Sequence, residues 1–151
     1  MSLDLSIDEI LDFAIRMEEE SYELYIDLAK NMDSANLREI FFQFSLEEQE
    51  HKEKLETIKK NRSFVHVTRE ILDLKIADYI VDVEIEPEMG YQQVLIVAMK
   101  KEKAAFKLYT EFASVAKYDD VRETFEFLAM EEAKHKLRFE IEYDDYVLSE
   151  M

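Results

Sequence analysis

Apolar residues return along this chain in alternating steps of four and three, the spacing that gathers them on one face of an α-helix. Four stretches carry such a stripe. They hold Leu11, Ala14, Tyr25 and Leu28; then Leu37, Phe41, Phe44, Leu55 and Ile58; then Leu95, Ala98, Ala105, Tyr109 and Phe112; and last Val121, Phe125, Leu128 and Phe139. The spacing predicts helices over about 7–31, 34–61, 89–116 and 119–148. Ser6-Ile-Asp-Glu9 has the form of a capping box at the head of the first, and Asp33 or Ser34 can cap the second. A crossover over about 62–86 separates the second helix from the third. It contains Phe64-Val-His-Val-Thr68 and a short helical-looking piece near Thr68–Tyr79, and Pro87 and Gly90 punctuate its end.

Connections of only a few residues join the first helix to the second and the third to the fourth, so each pair is expected to form an antiparallel hairpin. A 27-residue helix is about 40 Å long, and an extended crossover can traverse it. The two hairpins repeat each other without gaps at an offset of 84 residues. Ala14, Glu18, Leu24, Tyr25 and Ala29 recur as Ala98, Glu102, Leu108, Tyr109 and Ala113. In the same register Arg38, Glu39, Phe41, Glu47, Glu48, His51 and Lys52 recur as Arg122, Glu123, Phe125, Glu131, Glu132, His135 and Lys136. Pseudo-twofold symmetry is expected.

Composition narrows this picture without redirecting it. The 151 residues suit a single domain spanning 1–151, and one Gly and one Pro leave little turn material for anything but an all-α bundle. Thirty-six acidic against nineteen basic residues give a net charge of −17, which repels phosphate backbones and anionic lipid, so neither nucleic acid nor membrane is expected as a partner. No run has the length of an apolar spanning helix and Met1–Ser6 lacks the form of a signal peptide, so a cytoplasmic protein is expected. The absence of Cys excludes disulfides, iron–sulfur clusters and Cys-ligated zinc, and leaves any metal to Glu, Asp and His.

The chemistry lies where the stripes are interrupted. Glu48 and His51 stand in the middle of the second stripe, and Glu132 and His135 in the middle of the fourth; Glu18 and Glu102 do the same in the first and third. Each helix therefore aims one Glu inward at mid-height, and two add a His. An ionised carboxylate in an apolar interior costs several kcal/mol even after relaxation, so four of them demand compensation. No Lys or Arg lies on these stripes. Two divalent cations would balance the four carboxylates, with two neutral imidazoles as further ligands.

The i, i+3 spacing of Glu48-Gln-Glu-His51 and of Glu132-Ala-Lys-His135 places both groups on one face, close enough to bind the same ion. A lone Glu-x-x-His in a helix is ordinarily a solvent-facing pair. Two of them, each mid-stripe and each matched by a mid-stripe Glu at one constant offset, are far harder to obtain by accident. Hard oxygen ligands with two imidazoles suit iron or manganese, and zinc can occupy such a site as a substitute. Tyr25 and Tyr109 follow Glu18 and Glu102 by seven positions on the same stripes; either their hydroxyls bond a ligand carboxylate or they are core aromatics. Glu47, Glu50 and Glu131 rotate off the stripes and are expected at the surface, and His66 is expected to be an ordinary loop histidine.

Glu18-x-x-Ser-x-x-x-Tyr25, Glu48-x-Glu-His51, Glu102-x-x-Ala-x-x-x-Tyr109 and Glu132-x-x-His135 resemble the rubrerythrin-type di-iron domain of the ferritin-like superfamily over essentially the whole chain. The resemblance implies a ferritin-like four-helix bundle of two hairpins joined by one long crossover. It implies a di-iron (or di-manganese) oxidoreductase reacting with hydrogen peroxide or dioxygen, with Glu48 and Glu132 bridging the ions, Glu18 and Glu102 terminal, and His51 and His135 completing each shell. Two departures bear on the reaction. Rubrerythrins carry a Cys-rich rubredoxin domain, and with no Cys here electrons are expected from a separate protein or a small reductant. They also carry another Glu three residues after the first on the third helix, where this chain has Ala105; the six ligands left are closer to those of bacterioferritins. Unlike bacterioferritins, this chain has Gln49 after Glu48 and little beyond the fourth helix, so a homodimer is expected rather than a shell. Alternative readings are a ferroxidase or other iron-handling protein, a metal-stabilised bundle without turnover, and a di-iron oxygenase acting on an organic substrate.

Overall fold

The computed structural model describes residues 7–61, 90–116 and 119–150, which form four long helices: α1 (Ile7–Asn31), α2 (Ala35–Lys60), α3 (Tyr91–Val115) and α4 (Asp119–Glu150). These match the four expected helices, α4 running two residues further and α3 starting two residues later. Gly90 is the N-cap of α3 in extended conformation. The capping box at Ser6, the piece near Thr68–Tyr79 and His66 lie outside the described residues. Among the described residues no helix is long and apolar enough to cross a membrane.

The chain divides into two compact units, one built on α1 and α2 and the other on α3 and α4. In the first, Ser34 and not Asp33 takes the N-cap of α2, its Oγ accepting from Leu37 N at 3.3 Å. Arg38 Nη1 donates to the carbonyls of Met32 and Asp33, both at 3.0 Å, and so ties the connection to the first turn of α2. The end of α2 carries Lys59 and Lys60 beside its last carbonyls, where positive charge is favoured. Lys59 also pairs with Asp12 near the start of α1, which fixes the two helices as antiparallel. Lys52 reaches Glu19 at 3.4 Å one stage nearer the connection.

The second unit repeats the design. Asp119 and Asp120 supply the negative charge favoured in the first turn of α4, and Asp120 Oδ1 accepts from Val121 N at 2.9 Å. Tyr91 at the start of α3 packs edge-on against Tyr146 near the end of α4, ring centroids 5.9 Å apart, and Gln92 Nε2 donates to the Tyr143 hydroxyl at 3.1 Å. This pair is antiparallel too.

Each unit's core follows the stripes read from the sequence. Leu11, Ala14, Tyr25, Leu28, Leu37, Phe41, Phe44 and Leu55 are buried in the first, and Leu95, Ala98, Ala105, Tyr109, Phe112, Val121, Phe125, Leu128 and Phe139 in the second. The repeat extends to the packing. Tyr25 stacks on Phe41 with centroids 5.7 Å apart, and its counterpart Tyr109 stacks on Phe125 at 6.3 Å. Phe44 adds an edge contact to Tyr25, and Phe112 adds one to Phe125. Such aromatic pairs contribute roughly 0.5–1.5 kcal/mol each beyond the area they bury, and they lie toward the hairpin connection, leaving the middle of each helix pair to polar residues.

Candidate metal centre

Among the described residues the buried polar and charged side chains are Glu18, Ser45, Glu48, His51, Glu102, Glu132 and His135. Six of the seven are the mid-stripe residues, each between 1% and 3% exposed. Their burial follows from helix periodicity: an acidic residue at a core position is carried inward by the Leu, Phe and Tyr residues one and two turns to either side. Ser45 satisfies its hydroxyl locally, donating to the Phe42 carbonyl at 2.5 Å.

In the α1–α2 unit, His51 Nδ1 lies 3.5 Å from Glu18 Oε2 and 3.5 Å from Glu48 Oε1. In the α3–α4 unit, His135 Nδ1 lies 3.6 Å from Glu102 Oε1. Donor atoms of Glu18, Glu48 and His51 all fall within 4.8 Å of one another, and so do those of Glu102, Glu132 and His135. These separations exceed the roughly 2.7–2.9 Å of a charge-assisted hydrogen bond. They match instead the edge between two ligand atoms on one ion: bonds of about 2.0–2.2 Å meeting at tetrahedral or octahedral angles put the ligands roughly 2.8–3.6 Å apart. The donor set fits as well. It contains carboxylate oxygen and imidazole nitrogen, which suit iron, manganese or zinc, and among the described residues no Lys or Arg is buried.

The structure therefore brings the six expected ligands into two triads of one design, each a Glu from one helix and a Glu-x-x-His from its partner. Tyr25 and Tyr109 are fully buried in the aromatic clusters beside them. Of the three acidic neighbours expected at the surface, Glu50 is exposed, whereas Glu47 and Glu131 are only partly so. Glu131 accepts an ion pair from Lys134 at 3.3 Å. Both precede an inward Glu by one residue, a rotation of roughly 100° that leaves them at the margin of the buried face.

Long helices that each bury a carboxylate, with a histidine one turn on in two of them, form a candidate metal-carboxylate site. The rubrerythrin family model matches residues 9–86 and 93–151, and the chain belongs to that family. Two solved structures share its fold. One, from Thermotoga maritima, is named as a candidate ferritin-like diiron-carboxylate protein; it is 19% identical with a TM-score of 0.79, over 97% of this chain and 99% of that one. The other, a hypothetical protein from Pyrococcus furiosus, is 22% identical with a TM-score of 0.76, over 98% of this chain and 94% of that one. The fold is thus a ferritin-like four-helix bundle. No curated protein matches the chain significantly.

Proposed function

We propose that this protein is a cytoplasmic di-iron or di-manganese oxidoreductase that reduces hydrogen peroxide or dioxygen. The observation that carries the reading is the repeated triad: four carboxylates and two imidazoles, buried in two equivalent sets without a buried Lys or Arg among the described residues. Glu18, Glu48 and His51 would hold one ion and Glu102, Glu132 and His135 the other. By resemblance to the rubrerythrin-type domain, Glu48 and Glu132 would be the ligands common to both ions. When bound, the metal pair supplies the two electrons that cleavage of an O–O bond requires, in the balance H2O2 + 2 e− + 2 H+ → 2 H2O.

The chain's own residues set the conditions for that chemistry. Four carboxylates neutralise four positive charges, so the loaded site is stable in an apolar interior. Imidazoles must be neutral to ligate. Leu11, Ala14, Leu95 and Ala98 one turn or more away are buried and keep bulk water from the site. With no Cys in the chain, electrons come from a separate donor protein or a small reductant.

Anaerobic protein loaded with two ferrous ions per chain, mixed with peroxide in a stopped-flow instrument, tests the reading. Rapid oxidation using two electrons per peroxide, followed by turnover with an added donor, is expected. Oxidation no faster than that of free ferrous ion, with no turnover, would overturn it. Ala105 favours a second reading, because it is buried where the rubrerythrin resemblance implies a seventh carboxylate. In that reading ferrous ions are substrate, oxidised and passed on. Mineral-filled, shell-sized particles on size exclusion after iron loading would support it, and a small oligomer keeping two ions per chain would not.

A further inference from the structure

The outer face of α4 carries a second apolar stripe. Met130, Leu137, Ile141 and Leu148 are between 45% and 68% exposed, although they belong to the same helix as Glu132 and His135. They lie roughly 160° around the helix from the ligands. With Lys134 and Asp144, both exposed, they complete a run at 130, 134, 137, 141, 144 and 148. Its steps of four and three are those of a coiled-coil seam, sustained for about 27 Å.

We infer that this seam is the contact between two copies of the chain, with their α4 helices packed antiparallel about Phe139. In that register Met130 faces Leu148, Lys134 faces Asp144 and Leu137 faces Ile141, and twofold symmetry makes each pair occur twice. Charge selects this alignment. A parallel pair would set Lys134 against Lys134 and Asp144 against Asp144, whereas the antiparallel pair sets opposite charges together. Asp144 makes no ion pair among the described residues, and Lys134, 67% exposed, reaches only Glu131 of its own helix at 3.3 Å. Charges on the flanks of the seam are already neutralised within the helix, Lys136 by Glu140 and Arg138 by Glu142 at 3.1 Å. They neither demand nor oppose a partner.

Analytical ultracentrifugation of the full chain at about 0.15 M salt, where the repulsion between two acidic chains is screened beyond about 8 Å, tests the inference. The wild type should sediment as a dimer and Leu137→Glu as a monomer. Lys134→Asp should weaken dimerisation at least about ten-fold by setting like charges together, and adding Asp144→Lys should restore it. Because the chain has no Cys, Leu137→Cys protein mixed with Ile141→Cys protein should form an intermolecular disulfide, a readout that does not depend on the charge variants folding. A monomeric wild type, in which the seam has another occupant such as residues 62–89, would overturn the inference. So would a charge swap that fails to restore the dimer or an absent cross-link.

Discussion

Removing the metal and removing one of its carboxylates should move stability in opposite directions. Glu18 and Glu102 are each 1% exposed, and a carboxylate withdrawn from water costs several kcal/mol unless something compensates it. In metal-free protein at neutral pH, Glu18→Gln keeps the shape of the side chain and removes one such charge. The apo variant should therefore gain on the order of 1 kcal/mol or more, and in a domain of this size each kcal/mol moves Tm by roughly 2–4 °C. An ion held at 100 times its Kd stabilises the folded state by about 2.7 kcal/mol. Two ions then add about 5 kcal/mol and raise the wild-type Tm by roughly 10–20 °C. The variant, short of one anionic ligand, should keep only about half of that gain. Thermal unfolding followed by calorimetry, in chelator and again with anaerobic ferrous or manganous ion, measures all four states. The order should cross: Glu18→Gln and Glu102→Gln above the wild type without metal and below it with metal. If metal leaves the wild-type Tm unchanged, or the variants melt lower in both conditions, cations do not compensate these carboxylates and the reasoning fails.

The repeat predicts that His51→Ala and His135→Ala each lower bound metal by about one ion per chain, to similar extents, as read by inductively coupled plasma mass spectrometry. Tyr25→Phe keeps the stacking on Phe41 and should leave Tm within a few degrees of the wild type; a fall in peroxide turnover at unchanged metal content would assign its hydroxyl to a ligand carboxylate. Tyr109→Ala removes a fully buried ring and should cost about 3–5 kcal/mol in chemical denaturation. Ser34→Ala removes the N-cap of α2 and should cost about 1 kcal/mol without changing metal content.

Helix positions and the burial of the two carboxylate–histidine triads were legible in the sequence for one physical reason. A mid-stripe Glu or His is conspicuous because the residues around it are Leu, Phe and Tyr, and the 84-residue repeat shows each departure twice. Other features depend on neighbours that periodicity does not supply. Whether Asp33 or Ser34 caps α2 turns on which oxygen reaches Leu37 N, and either residue type serves. Glu47 and Glu131 are half-buried because they sit at the edge of the inward face, where a rotation of one residue decides exposure. The outer stripe of α4 was masked by the inner one: a helix apolar on two faces has no single stripe to read, and Leu137 and Ile141 pass for core residues until burial separates them from Phe139.

Anaerobic metal analysis with Mössbauer and EPR spectroscopy, on protein isolated from its own host, tests the proposed dinuclear reading most directly. That reading predicts about two iron or manganese ions per chain, magnetically coupled. Isolated mononuclear signals, or protein that folds and purifies with substantially less than one ion per chain, would contradict it.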